Sequence, residues 1–456
     1  MILDPSSLCS MSADDFLGKE FECQCGRKHS AGVAKVVVES GALQRIPGIL
    51  REFNCKKVLV VADTNTYAAA GSRVEQLLRD CGFALNTLVF VRDGDLVPDE
   101  TAIGEFFVAV EKDTDLIVAV GSGVINDLSK YIGARLGIPT IIVATAPSMD
   151  GYASDSSALI LDNLKTSVMV NTPKAIIADI DVLSKAPMGM ILAGLGDMLG
   201  KYSALKDWKL GNIVTGEYYC ETVAEMVRVS VQKCVDSIDG LNNRDGSAIK
   251  DLTEGLVISG IAMSFVGNSR PASGCEHHIS HYWETMFLQL GRKAVLHGVK
   301  VGIAALAANR IAEILASKKV NFDASRNSAS LFHEGKWQAD VERLFQKAAP
   351  GIIKQSRDND RNSLQRRLQR IATIEDNWST IMQVLKEGPD ASQVRSTLEE
   401  VGAPVNPASV GIDRDMVHDG VIYAKEIRAR YTVLQLLWDL GLIEEFASSV
   451  VDYYAC

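Results

Sequence analysis

Two patterns of apolar residues divide the chain. Between about residues 30 and 185, short continuous apolar runs alternate with amphipathic stretches. Lys57-Val58-Leu59-Val60-Val61-Ala62-Asp63 reads as a buried strand ending in a carboxylate, and Thr64-Asn65-Thr66 opens a helix after it. Segments 87–91, 116–120 and 140–144 repeat the strand signal, with a short helix around 73–79 before the first of them. Val/Ile runs without alternation predict a parallel sheet covered on both faces, because a half-exposed strand alternates apolar and polar residues. Asp179-Ile180-Asp181-Val182 closes this region. From about Ser184 the apolar period becomes helical, predicting helices over 190–209, 213–238, 248–266, 299–311 and 419–442. The expected organisation is a loosely ordered lead-in over 1–30, an α/β domain over 31–185 and an all-α domain over 186–456.

In parallel sheets ligands bind beyond the carboxyl ends of the strands. Three such ends carry suggestive residues. Asp63 suits either a ribose hydroxyl or a helix cap, with equal weight. In Gly121-Ser122-Gly123-Val124-Ile125-Asn126-Asp127 a glycine turn runs straight into a helix, so backbone N–H groups and the helix dipole can face a pyrophosphate. The third glycine of the usual dinucleotide fingerprint is missing. Thr145-Ala146-Pro147-Ser148-Met149-Asp150-Gly151-Tyr152-Ala153-Ser154 is a hydroxyl-rich loop directly after a buried strand.

The helical half holds the sharper signal. Of seven histidines, four fall between 277 and 297: His277, His278, His281 and His297. His277 and His281 share a helix face at a spacing of four, and His278 and His281 would do so at three. Asp197 lies in an otherwise apolar segment, where a carboxylate is expensive to bury unless paired or bound to metal. A lone histidine usually caps a helix or bonds in the core. This cluster together with Asp197 favours a metal, and one Asp with two His leaves an open coordination position, as catalytic sites need.

Composition narrows the function. The 456 residues are 47% hydrophobic and 23% charged, with a net charge of −10. That is an ordinary globular core without the basic footprint of a nucleic-acid binder. A local cation or metal can still attract an anionic small molecule. Nine scattered cysteines suit free thiols in a reducing cytosol rather than a disulfide scaffold. Cys23-Gln24-Cys25 with His29 falls one residue short of a four-ligand zinc set. The N-terminus lacks a signal-peptide pattern, and no uncharged run reaches the ~18 residues of a membrane span. A cytoplasmic protein without membrane insertion is expected.

Several of these segments resemble the iron-containing alcohol dehydrogenase and dehydroquinate synthase superfamily, and within it the glycerol-1-phosphate dehydrogenases. They are the Gly121–Asp127 turn, the 139–154 string, 194–200, and Ser269-Arg270-Pro271-Ala272-Ser273-Gly274-Cys275-Glu276-His277-His278-Ile279-Ser280-His281 followed by Leu296-His297-Gly298. The resemblance covers roughly 30–310. It implies a dehydroquinate synthase-like fold, with a nucleotide-binding α/β domain before an all-α metal-binding domain. It further implies one divalent metal (Zn²⁺, Ni²⁺ or Fe²⁺) on Asp197, His277 and His297, with His277 rather than His278 the ligand. His281 and Asp150 would face substrate. Asp63, Gly123, Val124, Ile125, Asn126, Asp127, Thr145, Ala146, Pro147, Ser148 and Ser154 would hold NAD(H) or NADP(H), and Asp63 leans towards NADH.

The implied reaction interconverts dihydroxyacetone phosphate and sn-glycerol 1-phosphate in a homodimer. The alternatives are a polyol dehydrogenase of the same fold, an NAD-assisted cyclase and a catalytically silent nucleotide-binding regulator. Lys201, Arg270 and Lys300 are candidate cations for the substrate phosphate. The charged stretch 318–387, unlike archaeal members and closer to the bacterial branch, reads as helices with a solvated face.

Overall fold

The computed structural model describes residues 12–18, 20–162 and 164–455, with residue 21 as backbone only. Residues 1–11 of the expected lead-in lie outside this range. The rest of the lead-in is ordered: β1 (Glu20–Glu22) pairs antiparallel with β2 (Lys28–Ser30). The turn between them uses Gly26 at φ +81°, a conformation open to glycine at little cost.

Six strands form one parallel sheet: β3 (Lys35–Glu39), β4 (Lys57–Asp63), β5 (Ala84–Phe90), β6 (Leu116–Gly121), β7 (Thr140–Ala144) and β10 (Ala175–Asp179). A separate hairpin joins β8 (Ser156–Leu161) to β9 (Leu164–Met169). The sheet order is β3-β10-β7-β6-β4-β5. Val58, Val60, Val118, Val143 and Ile177 join one core with Leu43, Ile46, Val74 and Leu78. Leu59, Val61, Ile117 and Ala119 are equally buried on the opposite face. Burial on both faces is why these strands read as continuous apolar runs.

The chain steps from β4 to β5 on one side and then crosses to β6 on the other. The switch point therefore lies between β4 and β6, and it brings the ends at Asp63 and Gly121 side by side. Crevices at such points are where doubly wound sheets bind ligands.

Two compact units are present. The first comprises Met1–Met198 and Glu221–Ser269; the second comprises Leu199–Cys220 and Arg270–Cys456. No strand follows Asp179 among the described residues. Three predicted helices are broken, two of them where the backbone leaves the α region. The 190–209 run divides into Met188–Leu199 and Lys201–Thr215. The 213–238 run breaks at Gly216, whose φ of +71° ends Lys201–Thr215 before Glu221–Asp236 begins. The 419–442 run breaks into Arg414–Tyr423 and Val433–Leu440, with Thr432 as an extended cap.

The solvated face expected for the arginine-rich stretch is corrected. In the Leu364–Asp376 helix Arg367 and Arg370 are buried. Arg370 grips Asp439 with Nε and Nη2, each at 2.7 Å. Arg367 stacks its guanidinium 3.7 Å from the Trp438 ring centre. A charge run cannot be told from a buried ion-pair set by sequence when its partner lies about 70 residues away, as Asp439 does.

Candidate active site

In the first unit a glycine turn leads into a helix at the switch point. After β6 the chain turns at Ser122 into the Gly123–Leu136 helix, whose first hydrogen bond runs from Asn126 N–H to the Ser122 carbonyl at 2.9 Å. The amides of Gly123, Val124 and Ile125 precede that bond, so they belong to the donors a helix N-terminus offers to anions. A Cβ on Gly123 would meet nothing closer than Met149 Cγ at 4.0 Å, leaving the approach open. Gly121 has no such freedom, because its Cβ would sit 2.5 Å from Ile125.

The 145–154 loop is cross-braced through its own polar groups. The Ser122 and Ser148 hydroxyls share a short hydrogen bond. Tyr152 Oη donates to the Ala146 carbonyl at 2.6 Å, and the Thr145 N–H reaches the Gly121 carbonyl at 3.2 Å. Lys130, fully buried, donates through Nζ to the carbonyls of Gly151 (2.8 Å) and Ser156 (2.7 Å) and to Ser154 Oγ (3.0 Å). Burial holds this ammonium below its usual pKa, while Asp127 at 3.8 Å opposes the shift. Sequence reasoning missed Lys130, since a lysine on an amphipathic helix reads as solvent-facing. Asn126 is buried and donates from Nδ2 to Asp127 Oδ1 at 3.0 Å.

Asp63 caps the turn after β4: Oδ1 accepts from the Thr66 N–H at 2.8 Å. The cap occupies one oxygen and is compatible with a ribose role for the other. Asp63→Asn keeps the cap and removes the charge. The expected result is a rise of about tenfold in the NADPH/NADH ratio of kcat/KM, as roughly 1.4 kcal/mol of lost repulsion would give. Initial rates with both nucleotides check it.

Asp150 and Asp197 meet in this unit, where the Asp150 N–H donates to Asp197 Oδ2 at 3.1 Å. Ser259 Oγ donates to Asp150 Oδ2 at 3.0 Å. Asp197 lies fully buried in the last turn of Met188–Leu199, two residues before the second unit begins.

In the second unit three imidazoles converge. His277 and His281 lie one turn apart on Cys275–Gln289, and His297 opens His297–Ser317. Ring centres are 5.1 Å apart for His277 and His297, 5.6 Å for His281 and His297, and 6.2 Å for His277 and His281. Glu276 was not singled out from the sequence. Its Oε1 lies 2.7 Å from His277 Nδ1, and its Oε2 accepts from Ser203 Oγ at 2.6 Å. A carboxylate on Nδ1 fixes the proton there and leaves Nε2 with a lone pair, as a metal ligand requires. Glu276→Gln is expected to lower metal affinity ~10–100-fold while the fold survives. Metal titration with circular dichroism alongside checks this.

Glu284 was also missed, although its spacing of three from His281 is the available signal. Its Oε2 lies 3.2 Å from His281 Nδ1, and Lys300 Nζ lies 3.5 Å from Oε1. His278 points elsewhere. It is fully buried, neither ring nitrogen has a hydrogen-bond partner among the described residues, and burial beside Arg428 and Arg430 holds its pKa well below the usual value. Of the candidate phosphate cations, Arg270 is engaged by Glu217 at 2.6 Å and the Tyr431 carbonyl at 2.8 Å. Lys300 donates to the Val295 carbonyl at 2.8 Å, and Lys201 is fully buried.

A sequence model of the family "Iron-containing alcohol dehydrogenase" matches residues 37–187. A glycerol-1-phosphate dehydrogenase [NAD(P)+] of Halalkalibacterium halodurans is 32% identical over 419 residues, covering 91% of this chain and 95% of that protein. Its counterpart in Geobacillus stearothermophilus is 32% identical, covering 93% of this chain and 97% of that one. That of Methanosarcina mazei is 27% identical, covering 88% and 89%. Among solved structures, a probable glycerol dehydrogenase from Sinorhizobium meliloti superposes with a TM-score of 0.61 at 15% identity, covering 94% of this chain and 99% of that one. A glycine turn opening a helix at the sheet switch point and an oriented histidine cluster in a helical unit agree with these likenesses. The chain belongs to the glycerol-1-phosphate dehydrogenase family.

Proposed function

We propose that the protein interconverts dihydroxyacetone phosphate and sn-glycerol 1-phosphate with NAD(P)(H), holding one divalent metal on Asp197, His277 and His297. The observation that carries the reading is the His277–His281–His297 cluster with Glu276 on His277 Nδ1. It makes His277 a ready-made ligand rather than a core histidine. When bound, the metal polarises the ketone oxygen and the reduced nicotinamide supplies hydride.

The chain's own groups do the rest. The Gly123, Val124 and Ile125 amides, with Asn126, Asp127, Thr145, Ala146, Pro147, Ser148 and Ser154 around them, seat the dinucleotide. Asp63 receives the ribose, which favours NADH. Asp150, fixed by Ser259, orients the substrate hydroxyl. His281 gives its Nε2 proton to the developing alkoxide, and Glu284 on Nδ1 stabilises the imidazolium form and holds the ring. Two neutral imidazoles and one carboxylate leave about one positive charge on a divalent ion, matched to an alkoxide. Zn²⁺ and Ni²⁺ suit this donor set best, with Fe²⁺ the third choice. The working form is a cytoplasmic homodimer, in keeping with cysteines held as thiols. No described helix is long and apolar enough to cross a membrane.

Product stereochemistry tests the assignment. The alcohol made from dihydroxyacetone phosphate should resist oxidation by a glycerol-3-phosphate-specific dehydrogenase. Complete oxidation by that enzyme would refute it.

A further inference from the structure

The hairpin β1–β2 carries a second donor cluster, unrelated to the dehydrogenase site. Cys23 and Cys25 lie in the connection between its strands and His29 lies on β2. Their ligand atoms lie within 4.8 Å of one another. His29 is 1% exposed although it sits on a short edge hairpin. Its Nδ1 lies 2.9 Å from the Phe265 carbonyl, which can only accept, so Nδ1 carries the proton. Nε2 therefore presents its lone pair, 3.4 Å from Cys25 Sγ. A tetrahedral zinc with Zn–S ~2.3 Å and Zn–N ~2.0–2.1 Å has an S···N edge of about 3.5 Å, close to that spacing. The ring also stacks on Phe265, with centres 5.4 Å apart and planes 25° apart. The orienting carbonyl on Nδ1 is the arrangement that metal-ligating histidines show.

The missing fourth ligand follows from helix register in the first unit. Glu221–Asp236 and Gly246–Val266 pack against each other, with Cys234 Sγ donating to the Asp251 carbonyl and Ser237 Oγ bonding Asp251. A Cβ on Gly255 would meet the Ser230 carbonyl at 3.4 Å. The helices thus run antiparallel, and the start of the first lies beside the end of the second, where Phe265 sits. The residue immediately before Glu221 is Cys220, which is fully buried.

We propose that Cys23, Cys25, His29 and Cys220 form a structural zinc site that clamps the N-terminal hairpin to the end of this helix pair. The rival is a thiol–imidazole hydrogen-bond cluster. Three cysteines with one histidine make a complete tetrahedral donor set, which a hydrogen-bond cluster does not require. A closed Cys₃His set leaves no open position, so the site is structural rather than catalytic.

The test uses full-length His277→Ala, in which the dehydrogenase metal site is disabled, expressed with zinc. Elemental analysis should find about one zinc per chain, and X-ray absorption should show three sulfurs and one nitrogen around it. Adding Cys25→Ser or Cys220→Ser should remove that zinc. Zinc-free His277→Ala protein, an oxygen/nitrogen-only shell, or zinc retained in both cysteine variants would each overturn the proposal. If the cysteine variants do not fold, the absorption spectrum of His277→Ala still decides it. Neither readout depends on dehydrogenase activity, so the proposed reaction can fail without affecting this result.

Discussion

His277→Ala should lose bound dehydrogenase metal and turnover together, with kcat/KM falling roughly 10³-fold or more. His277 Nδ1 is committed to Glu276 at 2.7 Å, so its Nε2 is presented as a pre-oriented donor. On the proposed ligand set, its removal leaves one imidazole and one carboxylate, too few to hold a divalent ion against water. The lost charge stabilisation is worth several kcal/mol of transition-state energy. His278→Ala is the control. His278 makes no hydrogen bond among the described residues, so that variant should lose core packing and some Tm yet keep its metal. Metal content and initial rates on both variants check the pair.

Gly194→Ala should be the most damaging single methyl addition in the first unit. A Cβ there would fall 1.9 Å from the Pro147 carbonyl oxygen and 2.9 Å from its carbon. Those are backbone atoms of the 145–154 loop, which Tyr152, Ser122 and Lys130 hold in place and which cannot yield as a side-chain tip would. Forced overpacking of this kind costs ~1–3 kcal/mol. Nucleotide affinity should also fall at least tenfold if, as proposed, this loop seats the dinucleotide. Gly104→Ala is the contrast. Gly104 is exposed within the Glu100–Ala109 helix, and its Cβ would meet nothing within 4 Å. Alanine there should gain about 0.5–1 kcal/mol. Thermal melts and NADH titrations of both variants separate the two cases.

The sheet was legible because strands buried on both faces write themselves as unbroken Val/Ile runs, as 57–63 and 140–144 do. Helix existence was legible too, whereas helix ends were not. The apolar period passes through Gly216 unchanged, and only the positive φ there reveals the break. The return of Glu221–Ser269 to the first unit was invisible, since an amphipathic stripe does not say which neighbour covers it. Histidine clustering identified the candidate metal region because histidine is scarce. The residues that orient it, Glu276 and Glu284, look like any helical glutamates until their oxygens are seen beside imidazole nitrogens. Lys130 and Arg370 were hidden for the complementary reason: their partners are loop carbonyls and a distant aspartate.

The most direct measurement is NADH oxidation by protein reloaded with Zn²⁺ or Ni²⁺, with dihydroxyacetone phosphate and dihydroxyacetone run in parallel. Rapid turnover with the phosphorylated ketone and little with the free one is the expected result. Turnover confined to free dihydroxyacetone, or silence with both despite bound metal, would contradict it.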